Sequence, residues 1–166
     1  MTDPVLPGAE LARQFHADVV QPPLARSMPR LRYAAGRLGS GSDVLGLDDA
    51  MSRDHDWGCR LTLLVDTPDR DAVPQISGLL ERTLPESCRG FPVRFPVTWD
   101  TSPTHTIEVA TVAGFAASRL GADPAGDMQA VDWLVLTGQS VLEVTAGPIF
   151  VDRTADAHGR PHGRTR

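Results

Sequence analysis

The spacing of hydrophobic positions changes several times along this chain, and each change marks an element. Over residues 10–24, Leu11, Phe15, Val19 and Val20 fall on one stripe at helical spacing, which predicts an amphipathic helix ended by Pro22-Pro23 and then Pro29. Residues 31–38 read as a short strand running into a glycine–serine turn, with a helical turn over 43–51. Residues 56–66, DWGCRLTLLVD, carry the apolar run of a strand buried on most of its length. Thr67-Pro68-Asp69 has the form of a helix start, with Thr67 as cap and Pro68 at the first position; Ile76, Leu79, Leu80 and Leu84 then form the apolar face, and Pro85 follows its end. Residues 88–103 are rich in Gly and Pro and predict irregular chain. TIEVATV, residues 106–112, is β-branched and strand-like. A helix over 114–120 stops at Gly121, and 127–146 reads as helix broken near Gly138. The order α, β, turn, β, α, β, α predicts an α/β layer fold. One domain over residues 1–151 is expected, with residues 152–166, containing HGRPHGR, as a disordered Arg/His-rich tail.

Composition narrows the function classes. A chain of 166 residues is enough for one domain without staples. The net charge of −5 gives no electrostatic reason to seek nucleic acid or an anionic membrane. All 16 basic residues are arginine, so the lysine of a P-loop or of the usual kinase ATP site is missing. Cys59 and Cys88, the two cysteines, are too few for a cysteine-rich zinc site and are expected as free thiols. No signal-like segment and no apolar run approaching 18 residues is present, and a reduced cytoplasmic setting is the expectation. No G-x-S-x-G elbow occurs, which argues against a serine hydrolase.

The chemistry concentrates in GSGSDVLGLDDAMSRDHDWG, residues 39–58. Residues two apart on a strand share a face, so Asp54 and Asp56 converge if the strand starts there. Two such carboxylates repel unless one protonates or a cation sits between them. A hard divalent ion removes the conflict, and Mg²⁺ takes one or two protein carboxylates together with substrate phosphates. The Gly-Ser turn, Gly39, Ser40, Gly41 and Ser42, lets backbone N–H groups and hydroxyls approach phosphate oxygens. Together they predict a site for a metal–nucleoside triphosphate. The plainer alternatives are a solvated turn with Asp54 as a cap, and serines that serve turn geometry alone. Asp48 and Asp49 read as solvated loop charges, His55 as a structural hydrogen-bonding residue, and Trp57, Trp99 and Trp133 as core or rim packing.

Gly41-Ser42-Asp43-Val44-Leu45-Gly46 followed by Asp54-His55-Asp56-Trp57 resembles the nucleotidyltransferase signature of the DNA polymerase β superfamily, with Leu38-Gly39-Ser40 as a second register that also fits. More narrowly, LARQFHADVVQPPL, GSGSDVLGLDDAMSRDHDWGCRLTLLV, LPESCRGFPVRF, IEVATV, LGADP, DWLVL and VTAGPIFVD resemble a bacterial domain-of-unknown-function family with that fold, over roughly residues 10 to 153. The resemblance implies a mixed sheet flanked by helices and metal-dependent transfer of a nucleoside monophosphate to an acceptor hydroxyl of unknown kind. It implies Mg²⁺ or Mn²⁺ on Asp54 and Asp56, and a third carboxylate from a later strand. Glu108 suits that role; Glu143 is the competitor, in a stretch of helical character. For Glu108 the plain alternative is the exposed face of an alternating strand. Two departures from the pattern stand out. His55 occupies a position that is usually apolar, and related chains continue past the TAGPIFVD-like segment into a helical region where this one carries its Arg/His tail. A non-catalytic domain that binds a nucleotide or a protein partner is therefore the alternative expectation.

Overall fold

A computed structural model describes residues 6–47, 58–97 and 100–154. Asp54 and Asp56, with Asp48, Asp49, His55, Trp57 and Trp99, lie outside the described residues, as do residues 155–166 of the tail. The protein is a mixed α/β structure built on a mixed four-stranded sheet.

The first helical segment is longer than its prolines suggest. Helix α1 (Gly8–Phe15) passes through a π-helical turn (His16–Val20) into α2 (Gln21–Ser27), so Pro22-Pro23 do not end it. Prolines have no N–H to give to the preceding turn. The chain meets this deficit by widening just before them: Gln21 N–H donates to His16 O, five residues back. One residue is thereby added to the turn, and the buried stripe becomes Leu11, Phe15, Val20 and Leu24, with Val19 only half-buried.

Strand β1 (Ala34–Gly36) pairs antiparallel with β2 (Leu61–Val65). Helix α3 (Ala72–Thr83) follows β2 after a 3-10 turn over Thr67–Asp69, so the helix starts four residues later than Thr67-Pro68 suggested and Thr67 does not cap it. Residues 88–103 are not irregular. Two small hairpins occupy the region: β3 (Ser87–Cys88) with β4 (Phe91–Pro92), and β5 (Arg94–Val97) with β6 (Asp100–His105). The first turns tightly through Arg89 and Gly90, both at positive φ, which suits a two-residue hairpin. Its pattern is too short for periodicity to reveal.

Strand β7 (Ile107–Thr111) then runs parallel to β2, and α4 (Val112–Leu120) begins with the Thr111 hydroxyl accepting from Gly114 N–H at 3.0 Å and ends at Gly121. Helices α5 (Ala130–Val135) and α6 (Gly138–Thr145) divide before Gly138, as the pattern predicts. A further strand, β8 (Ile149–Asp152), adds antiparallel to the free side of β1, giving the order β7-β2-β1-β8. Asp152 closes this strand and Arg153 N–H donates to Tyr33 O, so ordered pairing continues past residue 151.

β2 lies inside the sheet and is buried along its whole length, which accounts for its continuous apolar sequence. Its side chains alternate between two cores. Leu61, Leu63 and Val65 join Leu11, Phe15, Tyr33, Ile76, Leu80 and Ile107 on one face, while Leu64 joins Ala34, Leu38 and Phe115 on the other. Helices α1, α2 and α3 supply the first face; α4 supplies the second. Cys59 and Cys88 are free, buried thiols within the first core, and burial pushes the Cys59 thiol up to about 12. Trp133 is instead 62% exposed on α5, beside exposed Val131, Leu134 and Val135. Among the described residues no helix is long and apolar enough to cross a membrane.

One buried polar pair gives the fold a pH dependence. His16 Nε2 lies 3.0 Å from Tyr33 Oη, and burial lowers the His16 pKa to about 4. The unfolded chain takes up this proton near pH 6.5 and the folded one only near pH 4, so the stabilising contribution is present above pH 6.5 and lost as pH falls toward 4. Between pH 7 and pH 5 the expected loss from His16 alone is about 2 kcal/mol. Urea titrations of wild type and His16→Gln at both pH values check this: the variant is expected to show a shallower pH dependence, and equal slopes would contradict the assignment.

Candidate functional site

The site begins with a charge placed where a strand pattern expects an apolar residue. Arg37 directly follows β1 and is 2% exposed; its partner Asp43 is 6% exposed. Arg37 Nε donates to Asp43 Oδ2 at 2.6 Å and Nη2 donates to Oδ1 at 2.8 Å. The same guanidinium donates to the carbonyls of Leu38 (2.6 Å) and Ser40 (2.7 Å). One side chain thus folds residues 37–43 around itself. Gly41 sits at φ 132°, and a Cβ there would collide with the Asp43 carboxylate and the Arg37 guanidinium. The Gly-Ser turn therefore owes part of its composition to this pinch. Its outer side is fastened by α6 and by the residue before β8: Gly39 N–H donates to Glu143 O at 3.1 Å and Arg37 N–H to Pro148 O at 3.0 Å. Gly39 N–H is consequently already engaged, and the free polar capacity of the turn lies beyond it, where Ser40 is exposed and Ser42 half-exposed.

A cavity of about 310 Å³ opens beside this turn. Gly39 and Ser40 line it, together with Glu108, Arg60, His105 and Arg119; Gly41 and Ser42 are not part of its wall. Glu108 reaches it because of register. It pairs with Thr62 across β7 and β2, so it shares the sheet face of Leu64 and Ala110, which is the face α4 covers. Arg119, in the last turn of α4, meets it there. Glu108 Oε1 accepts from Arg119 Nη1 at 3.0 Å and Oε2 accepts from Nη2 at 2.6 Å, a fork-to-fork pair.

The surroundings of Arg119 are unusual. Its guanidinium carbon lies 3.8 Å above the Phe115 ring. Its Nε is buried and makes no hydrogen bond among the described residues; Glu143 Oε2 stands 3.9 Å away. Glu143, the competitor of Glu108, sits on α6 as its helical pattern predicts, and Gln139 Nε2 donates to its other oxygen at 2.9 Å. On the opposite wall His105 Nδ1 accepts from Ile107 N–H at 3.3 Å, which leaves the proton on Nε2 to donate to Glu81 Oε2 at 3.2 Å. Burial lowers the His105 pKa, with Glu81 opposing.

Of the residues singled out from sequence, the structure brings Gly39, Ser40 and Glu108 to one cavity, places Gly41 and Ser42 in the adjoining turn, and leaves Asp54 and Asp56 outside the described residues. Among the described residues no group of three His, Cys, Asp or Glu side chains is arranged to hold a metal ion. Sequence reasoning missed Arg37, Arg60, His105 and Arg119. Arg37 carried a usable signal, a lone charge between Gly36 and Leu38 in an apolar run. Arg119 carried none, because its pairing depends on how α4 folds back over β7.

Removing one partner of a buried ion pair leaves the other charge uncompensated and costs about 3–5 kcal/mol. Asp43→Asn is expected to lose at least about 3 kcal/mol in urea unfolding, and the double variant Arg37→Met/Asp43→Leu to lose less than Asp43→Asn alone. A neutral Asp43→Asn would show that the pair does not organise the turn.

Comparisons with protein-family models, with curated proteins and with solved structures find no match to this chain.

Proposed function

We propose that this domain binds a nucleoside triphosphate with Mg²⁺ or Mn²⁺ and transfers the nucleoside monophosphate to an acceptor hydroxyl. The observation that carries the reading is the single cavity shared by the Gly-Ser turn and Glu108, which are distant in sequence. The strand arrangement supports it too: the turn leaves β1, Asp54-His55-Asp56 lies in the segment between turn and β2, and Glu108 stands on the strand parallel to β2. The resemblance to nucleotidyltransferases expects this nucleotidyltransferase-like order of parts.

The residues present suit the ligand in chemical type. Arg60 and Arg119 line the cavity beside Ser40 and favour the charge of phosphate oxygens. In this reading Asp54, Asp56 and Glu108 are the carboxylates that would hold a hard divalent ion, oxygen donors being what such an ion takes. The ion would supply charge neutralisation at the attacking and leaving oxygens. The Ser40 end of the turn contacts the β- and γ-phosphates in this reading. The acceptor oxygen attacks the α-phosphorus, the bond from that phosphorus to the bridging oxygen breaks, pyrophosphate leaves, and the hydroxyl proton passes to a carboxylate or to water.

A second reading, nucleotide binding without turnover, draws on one observation: both oxygens of Glu108 are held by Arg119. Calorimetry with Mg²⁺ and each nucleoside triphosphate tests the shared premise. Wild type is expected to bind in a Mg²⁺-dependent way, and Asp54→Asn/Asp56→Asn to bind about tenfold more weakly or worse, a loss of roughly 1.4 kcal/mol or more. Equal binding by both would remove the site. Binding with no pyrophosphate release across a panel of acceptors would favour the second reading.

A further inference from the structure

We propose that the exposed apolar surface of α5 and α6 is where a second copy of this chain binds, forming a two-fold dimer. The inference does not depend on the nucleotidyltransferase reading. Helix α5 has six residues, and none of them is buried. A helix this short draws its stability from packing an apolar face, not from its own hydrogen bonds. Val131, Leu134 and Val135 nevertheless stand exposed at spacings of three and four, with Leu134 84% exposed and Trp133 beside them. Helix α6 packs against α4 and leaves Val141 and Leu142 exposed. The two helices are consecutive, joined by Leu136 and Thr137, and about 9 and 12 Å long, so these six side chains lie within the breadth of one interface.

Two observations favour a copy of the same chain over another partner. The first is area. From their exposed fractions, the six residues present on the order of 600 Å² to solvent, the upper end of what a monomer leaves uncovered in one patch. Two such faces packed together bury about 1,200 Å² before any polar rim is counted, which is where specific, stable interfaces begin. The second is charge. In a two-fold interface the same surface meets itself, so a charge near the axis meets its own sign. A chain of net charge −5 tolerates that only on a face without free charge. The chain is 22% charged, yet from Gln129 to Val151 it carries only Asp132 and Glu143. Both are engaged within their own copy: Asp132 Oδ2 accepts from Gln129 N–H at 2.7 Å, and Glu143 Oε1 accepts from Gln139 Nε2 at 2.9 Å. A highly charged partner therefore finds little to hold, whereas an identical apolar face fits without repulsion. Few charges around a tryptophan is also the composition of an interface core, with Trp133 as the anchor.

Sedimentation velocity over a wide concentration range tests this in the full chain, with two charge variants for comparison. Leu134→Arg puts a charge at the centre of the face, at a position exposed enough for the fold to tolerate it. Gln75→Arg puts the same charge on an exposed position of α3, which covers the other side of the sheet. Wild type and Gln75→Arg are expected to sediment at twice the chain mass as concentration rises. Leu134→Arg is expected to raise the dimer Kd at least about thirtyfold. Hydrogen exchange gives a second readout: amides of residues 131–135 are expected to slow as wild-type concentration rises, and not in Leu134→Arg. A wild type that stays monomeric throughout overturns the inference and gives this face to a different protein or to residues 155–166 of the same chain. A dimer that Leu134→Arg leaves intact, or that Gln75→Arg weakens equally, has its interface elsewhere and overturns it as well.

Discussion

The buried Arg37–Asp43 ion pair is the constraint from which the rest of the site follows. A guanidinium this deeply buried must find acceptors for its donors, and it finds four: two carboxylate oxygens and the carbonyls of Leu38 and Ser40. Satisfying them forces the chain after β1 to curl around the side chain instead of continuing the strand. The curl leaves no room for a Cβ at residue 41 and turns Ser40 outward toward the cavity. A glycine–serine composition that looks like phosphate-binding chemistry is thus at the same time the solution to a packing problem. Both statements concern the same atoms, and the second holds whether or not a ligand is present.

The second constraint is the alternation of β2 and β7. Because β2 is covered on both faces, a shift of one residue in register would exchange Leu61, Leu63 and Val65 with Thr62 and Leu64 and unmake both cores. That register fixes Glu108 opposite Thr62, on the side of α4. A carboxylate on a largely covered face needs a partner, and the last turn of α4 delivers Arg119. The ion pair at the cavity is in this sense a consequence of strand pairing, as the turn is a consequence of Arg37.

How far the sequence was legible depended on the range of the interactions involved. Local signals read well: the β2 run, the Ile76 and Leu80 face of α3, the end of α4 at Gly121 and the break before Gly138 all appear where the pattern places them. Pro22-Pro23 misled because the penalty for a missing N–H can be absorbed by a wider turn upstream, a choice that only packing of Val20 and Leu24 decides. The two hairpins over 87–105 were hidden by prolines and glycines, which in short edge strands mark turns and pairing alike. Strand β8 was invisible because its partner, β1, lies more than a hundred residues earlier in the chain. Gly39 and Ser40, singled out from turn composition, and Glu108, singled out as an acidic residue in a strand pattern that suits the resemblance's third carboxylate, line one cavity. Arg119 was not singled out, since its meaning arises only when α4 docks.

The electrostatic state of the cavity follows from that docking. Arg119 stands between Glu108, which it grips with two bonds, and Glu143, which approaches its Nε only to 3.9 Å. Gln139 holds the Glu143 carboxylate from the far side, and Gly39 N–H holds the Glu143 carbonyl, so α6 cannot easily bring that carboxylate closer. The guanidinium is therefore committed on one edge and underused on the other, at the wall of a cavity that also contains Arg60. A neutral ligand gains little from such an arrangement, and a cation gains only if Arg119 leaves. An anion would meet the positive charge of two arginines at that wall.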